Sequence, residues 1–220
     1  MAKAGLCAST FKYNKAFFDK GLELILCGII DIYNDIFAKM IPLENDENAI
    51  RDVIFYEYLN NADYMRTHEL LSRHHFVLDP KEQKGRPDIQ VVPINPYKGP
   101  NCYYVIECKR LDNIRQSGKS GLNGEYIREG IDRFVRGKYP VYKNTAGMIG
   151  FVVTSMDIDD NIAKINQLLK NEFSTILTVM PITKKQLYQD FEYTYYSLHG
   201  DTENEKTLYH LMLDFSVNIF

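Results

Sequence analysis

The apolar pattern changes period at His75. Ahead of it, apolar side chains recur every three or four residues; after it come short β-branched runs separated by turn-forming segments. A chain that trades a 3.6-residue period for a two-residue one, and then returns to the first, buries its apolar surface as a mixed α/β domain. The 220 residues suit one sizeable domain, and no repeat, low-complexity tract or linker rich in Gly, Pro and Ser divides them. Residues 1–220 are therefore read as a single unit.

Over residues 13–40 the positions Phe17, Gly21, Leu24, Ile25, Gly28, Ile29, Ile32, Ile36 and Met40 predict one long helix, stopped near Pro42. So wide a stripe reads as core, with a subunit interface as its second use. A second helix starts in the acidic turn 44–47 and buries Ile50, Val53, Ile54 and Leu59. Strands are expected at 76–78, 86–94 and 102–110, with a loop at 95–101. A mobile, glycine-punctuated loop (113–124) precedes a helix at 126–137 and a buried strand at 147–154. A helix at 159–172, a strand at 176–180 and a hairpin of 193–199 with 208–215 complete the chain.

Composition narrows the function classes. Apolar residues make up 45% and charged residues 25%, the balance of a folded protein. The net charge of -3 argues against a general nucleic-acid coat protein and leaves room for a local basic groove. The longest apolar stretch, residues 22–32, contains Glu23 and Asp31 and is too short for a bilayer. No secretory signal is visible, so a cytoplasmic protein without membrane contact is expected. Cys7, Cys27, Cys102 and Cys108 lack metal-site spacing; free, mostly buried thiols are expected, with Cys102 and Cys108 on one strand.

Three residues carry the chemistry: Asp88 behind Pro87, then Glu107 and Lys109 flanking Cys108. Residues two apart on a strand share a face, so Glu107 and Lys109 project together while Cys108 points away. With Tyr97 and Lys98 at the centre of the turn, antiparallel pairing sets Asp88 opposite Glu107. Two carboxylates at close range are costly to keep ionised unless a cation neutralises them, and hard oxygen ligands suit Mg2+ or Mn2+. An ordinary cross-strand ion pair with Lys109 or Arg86 is the competing reading.

Pro87-Asp88 followed by Glu107-Cys108-Lys109, within the order helix, three strands, helix, strand, resembles the PD-(D/E)xK nuclease superfamily. The resemblance covers about residues 44–155. It implies a restriction-endonuclease-like αβββαβ core with a mixed central sheet, extended here by the N-terminal long helix and a C-terminal β-hairpin. It further implies a Mg2+-dependent endodeoxyribonuclease (with Mn2+ as the substitute ion) that hydrolyses DNA phosphodiesters, in the setting of bacterial restriction or anti-phage defence. Asp88, Glu107 and the Cys108 backbone carbonyl would hold the ion, and Lys109 would orient or deprotonate the attacking water. The family often adds an acid from the helix before the first strand. Glu47, on the face of Ile50 and Ile54, is the expected residue; Glu44 and Glu57 compete, and a purely helix-dipole role is the alternative.

The helix at 126–137 places Tyr126, Gly130, Arg133 and Gly137 on one face. It resembles a helix motif of bacterial nucleases in the superfamily, which implies that Arg133 and Tyr126, with Tyr139 just beyond, stand beside the scissile phosphate. Tight helix-on-sheet packing is the other account of its glycines. Residues 109–143 hold nine basic and four acidic side chains, a local charge of +5 against -8 elsewhere. Arg110 and Lys119 are thus expected to grip the DNA backbone, and the loop at 115–124 to close over it.

No base-reading module is evident, so target choice would fall to a homo-oligomer or a partner protein, with the first helix as docking face. Two other readings stay open: a catalytically silent DNA-docking or structural subunit, and a structure-specific repair or junction-resolving nuclease. Gly118-Lys119-Ser120 lacks the upstream glycine of a P-loop. His199 and His210 are expected opposite one another across the final hairpin with Ser197 beside them, as a satisfied core pair.

Overall fold

The computed structural model describes residues 14–81, 85–94 and 102–220. Helix α1 (Asn14–Ala38) follows the apolar stripe, and Leu22, Ile25, Leu26, Ile29, Ile32 and Ile36 are fully buried in the chain's own core. Of the expected stripe, Phe17, Leu24 and Met40 remain exposed. The helix stops where Ile41 N–H reaches back to Ile36 O (3.1 Å), with Met40 left-handed at φ 48° and Pro42 following.

Helix α2 (Glu47–Ile54) is capped by Asp46, whose carboxylate accepts from the N–H groups of Asn48 and Ala49 at 2.9 and 3.0 Å. It widens into a π-helical turn, Phe55–Leu59, and two short helices, α3 (Ala62–Thr67) and α4 (Glu69–Ser72), lead to the sheet. Strands β1 (His74–Leu78), β2 (Ile89–Pro93) and β3 (Tyr104–Leu111) form an antiparallel meander. A crossover helix follows in three pieces: α5 (Leu122–Glu125), a π-helical stretch Tyr126–Ile131, and α6 (Asp132–Val135). It delivers β4 (Thr145–Val152), parallel to β3 and buried along its whole length.

Beyond β4 come α7 (Ile158–Asn171), β5 (Thr178–Lys184), β6 (Thr194–His199) and β7 (Lys206–Asp214). All strands join one seven-stranded mixed sheet in the order β1-β2-β3-β4-β7-β6-β5. The C-terminal hairpin is therefore no appendage, because β7 lies parallel against β4. One core packs α1, α2 and α4 on one face of the sheet; the other packs the crossover helix and α7 on the opposite face. The fold is a mixed α/β arrangement headed by a long helix.

Several boundaries differ from the sequence reading, each for a local reason. Strand β5 starts later than expected and runs through Pro181. Asn166 makes this feasible: its side-chain amide donates to Ile182 O and accepts from Ile182 N–H, both at 2.9 Å. The crossover helix ends at Val135, where Gly137 N–H bonds Phe134 O (3.0 Å) and Lys138 N–H bonds Arg133 O (2.8 Å). Gly137, at φ 65°, is thus the left-handed stop and not a residue of the helix face. Gly130 does mark a close approach, since a Cβ there would lie 2.2 Å from Met148 Cε on β4.

The loop before the crossover helix is tied down. Asn123 and Asn161 exchange amide hydrogen bonds (2.7 and 3.1 Å), and Asn113 N–H bonds Thr154 Oγ1 (2.9 Å). Cys27, Cys102 and Cys108 are buried, though Cys102 precedes β3 and does not share the strand with Cys108. Cys7 and the turn residues Tyr97 and Lys98 lie outside the described residues. Among the described residues no helix is long and apolar enough to cross a membrane.

Candidate active site

The β2–β3 register pairs Ile89 with Ile106, and one residue further along Asp88 falls opposite Glu107, as the hairpin arithmetic requires. Asp88 docks there by accepting the Cys108 N–H at 2.7 Å through Oδ2. The two-residue period of β3 then divides its side chains. Tyr104, Ile106 and Cys108 enter the core beneath α1, whereas Val105, Glu107, Lys109 and Leu111 face the crossover helix.

Glu107 is the most deeply set acid among the described residues, with its side chain 2% exposed. Its Oε1 accepts from Tyr139 OH (3.0 Å) and Arg133 Nη1 (3.3 Å) and lies 3.2 Å from the Lys109 ammonium. Its Oε2 is buried and has no partner. Burial, reinforced by the Asp88 charge, pushes the Glu107 carboxyl up to about 7, against the opposing pull of Lys109, Tyr139 and Arg133. Lys109 shows the converse balance: desolvation alone would favour the neutral amine, but Glu107, Glu47 and Asp88 outweigh it and hold the side chain as ammonium.

Helix α2 supplies two further groups from one face. Glu47, in its first turn, accepts from Lys109 Nζ (2.7 Å) through Oε1 and from the Arg110 N–H (3.0 Å) through Oε2. The acid expected from this helix is therefore the one beside Lys109. Four residues on, the buried Arg51 donates through Nη1 to Asp88 Oδ1 (2.9 Å) and Asp79 Oδ1 (3.2 Å), while Nε and Nη2 bind Asp52. Sequence reasoning missed Arg51. The signal was present, because residues 47, 50, 51 and 54 lie on one helical face and two of them are core isoleucines. One helix face thus reads both strands with opposite charge, Glu47 against Lys109 and Arg51 against Asp88.

These groups open into a cleft of about 500 Å³, and the nine described residues that line it are all ionisable. Glu47, Asp88, Glu107 and Lys109 form its floor; Arg86, Glu125, Arg128, Glu129 and Arg133 stand toward its rim. Arg133 reaches from the crossover helix to Glu107, Glu129 and Tyr139 OH, the last at 2.8 Å. Arg86 adopts φ 49°, an uncommon conformation for a residue bearing a Cβ, two positions before Asp88.

The structure does not bring every expected substrate contact here. Tyr126 is wholly buried and bonds His210 Nδ1 (2.8 Å), because the π-helical stretch after it shifts the helix out of the α phase assumed for it and Arg133. Tyr139 is also buried and serves as a partner of Glu107, away from solvent. Arg110 alternates to the other side of β3, where Asn45 Oδ1 holds its guanidinium at 2.7 Å. Lys119 pairs with Glu172 of the segment after α7 (3.2 Å) and does not line the cleft. Within the basic stretch Lys109, Lys119, Arg128, Arg133 and Arg136 are ion-paired, and the cleft rim mixes Arg86, Arg128 and Arg133 with Glu125 and Glu129 in place of a one-signed groove.

His199 and His210 are not opposite one another either. The β6–β7 register sets His210 against Tyr195 and His199 against Lys206. Ser197 Oγ joins them instead, 2.8 Å from Nε2 of each ring.

Among the described residues no three His, Cys, Asp or Glu side chains are grouped so as to grasp a metal as they stand. Both Asp88 oxygens are engaged, by Arg51 and the Cys108 N–H, and Glu47 is engaged by Lys109. The donor chemistry nevertheless suits a hard divalent cation, since every candidate ligand is an oxygen and Glu107 Oε2 is a buried acceptor that nothing satisfies. No protein-family model, curated protein or solved structure matches the chain.

Proposed function

We propose that the protein is a metal-dependent phosphodiesterase acting on DNA, an endodeoxyribonuclease of the PD-(D/E)xK type built on a restriction-endonuclease-like core. The observation that carries this reading is the convergence of Asp88, Glu107, Lys109 and Glu47, from two strands and one helix, at the floor of an open cleft.

Asp88, Glu107, the Cys108 carbonyl and Glu47 are the groups that would hold Mg2+ or Mn2+. Such an ion, when bound, lowers the pKa of its water and offsets charge on a phosphoryl oxygen. The chain's own residues do the remaining work. Lys109, kept cationic by its acidic neighbours, supplies the floor with a positive charge that would stabilise a phosphate oxygen gaining charge. Arg133 screens Glu107 from the rim and supplies a second cation to the phosphate. Arg86 and Arg128 flank the floor and suit neighbouring phosphates of the backbone. Tyr139 and Arg51 touch no substrate; they fix the carboxylates of Glu107 and Asp88.

Purified protein on supercoiled plasmid, with Mg2+, Mn2+ or EDTA, tests the reading. Nicking that needs the metal and disappears in Asp88→Ala and Lys109→Ala is the expected result. One observation favours a second reading, a DNA-docking subunit without catalysis: Arg51 and Lys109 already neutralise the acids. DNA binding without cleavage under any metal condition would establish that alternative.

A further inference from the structure

The Lys109 ammonium has three N–H donors, and three oxygens surround it: Glu47 Oε1 and the Cys108 carbonyl at 2.7 Å, and Glu107 Oε1 at 3.2 Å. All three belong to groups assigned above to a divalent ion. Lys109 therefore does more than stand beside a metal site, because its nitrogen sits among the oxygens that an ion would need.

We infer that Lys109 is the resident counter-ion of the cleft, and that a divalent cation and the Lys109 ammonium compete for the same oxygens. The inference rests on the metal-binding reading of the floor and adds a gate to it. Without metal, the ammonium keeps Glu47 and Glu107 from repelling one another, so the fold is complete before any ion arrives. Glu107 Oε2, unpartnered and buried, gives the incoming ion its first unclaimed acceptor. Glu47 and the Cys108 carbonyl, if given over to an ion, would release the ammonium, and the lysine stem would then carry its charge toward the position of the substrate phosphate. Occupancy by metal and deployment of the lysine are then one event. Arg51 is no such competitor, because it grips Asp88 from the helix side together with Asp79 and stays in place.

Mn2+ titration of the wild type, Lys109→Met and Asp88→Asn, followed by the electron paramagnetic resonance of free Mn2+, tests the competition. Lys109→Met is expected to bind Mn2+ at least about tenfold more tightly than the wild type, since it removes a cation from beside the ion while keeping the stem. Equal or weaker binding by a Lys109→Met protein whose circular dichroism matches the wild type would overturn the competition and leave the metal reading standing, provided that Asp88→Asn loses the site. Absence of Mn2+ binding in the wild type and Lys109→Met alike would overturn both. A measurement on the unaltered chain covers the case in which the variant fails to fold. In protein carrying 15N-lysine, the Lys109 ammonium resonance should shift on Mg2+ addition with the midpoint of binding. A resonance that stays fixed while Mg2+ binds would overturn the inference.

Discussion

Two polar networks draw strand residues from the same face of the sheet and a partner from the crossover helix, and they are built in opposite ways. In the cleft, Glu107, Lys109, Glu47 and Arg133 are ionisable, open to solvent on one side, and leave a buried carboxyl oxygen unpartnered. About two strands away, Tyr126, His210, Ser197 and His199 form a chain with no exposure at all. That chain continues to Thr178 Oγ1, 3.3 Å from His199 Nδ1, and Thr178 donates onward to Ile176 O (3.4 Å). A carbonyl can only accept, so the direction of every bond follows. His199 carries its proton on Nδ1 and His210 on Nε2, Ser197 donates to His199, and Tyr126 donates to His210. Both rings are neutral, with His210 pushed down to about 3 and His199 to about 4 by burial.

The contrast teaches where function can reside. A buried network in which each donor meets one acceptor has nothing left to offer a ligand; it fastens helix to sheet. A network with a surplus acceptor and a displaceable cation can still change partners. Titratable residues in a core are therefore not by themselves a sign of chemistry, and the histidine chain is a structural fastening.

The comparison can be broken most decisively at Glu107. Glu107→Gln is expected to slow metal-dependent nicking by at least about a thousandfold while leaving the protein folded; a variant that cuts normally would remove the cleft from the chemistry. Next in size, Arg51→Met should cost about 3 kcal/mol in urea unfolding, because it strips the charge partner from the largely buried Asp88. A loss below about 0.5 kcal/mol would show that Asp88 is content with the Cys108 N–H alone. Ser197→Ala should cost about 2 kcal/mol by orphaning one nitrogen on each histidine, with the nicking rate unchanged. If nicking falls as steeply as in Glu107→Gln, the two networks are not separable.

The smallest effect is on pH dependence, and its sign differs between the regions. The histidines have folded pKa values below the ordinary 6.5, so their stabilising contribution is present above 6.5 and fades as pH falls toward 4 and 3. Glu107, raised from 4.5 to about 7, contributes below 4.5 and loses that contribution as pH rises to 7. Between pH 6.5 and 4.5 the two trends oppose, each limited to about 1.4 kcal/mol per pH unit per group. Acidification should destabilise the wild type through its two histidines, and Glu107→Gln should steepen that loss by removing the compensating carboxyl. Parallel stability curves for the two proteins would contradict the raised Glu107 carboxyl.

Local periodicity made much of the candidate site legible. The pairing of Asp88 with Glu107 depends on a single hairpin, so counting from the turn sufficed even though the turn itself lies outside the described residues. Glu107 and Lys109 share a face by the alternation of a strand, and Glu47 points to the sheet because it is in phase with Ile50 and Ile54. Tyr126 escaped the same logic. Its expected alignment with Arg133 assumes 3.6 residues per turn, and the π-helical stretch between them breaks that assumption.

The sequence by itself determined the order of the main helices and strands, though neither their ends nor the short helices α3 and α4, and that two acids and a lysine meet at one hairpin. Those features follow from contacts a few residues apart, where the geometry of one element leaves little choice. Only the tertiary structure decided that β7 inserts beside β4, that Arg51 neutralises Asp88, and that Tyr126 turns to His210. Each of these is settled by a partner distant in the chain, and the period of a segment states which side it buries without naming what will cover it.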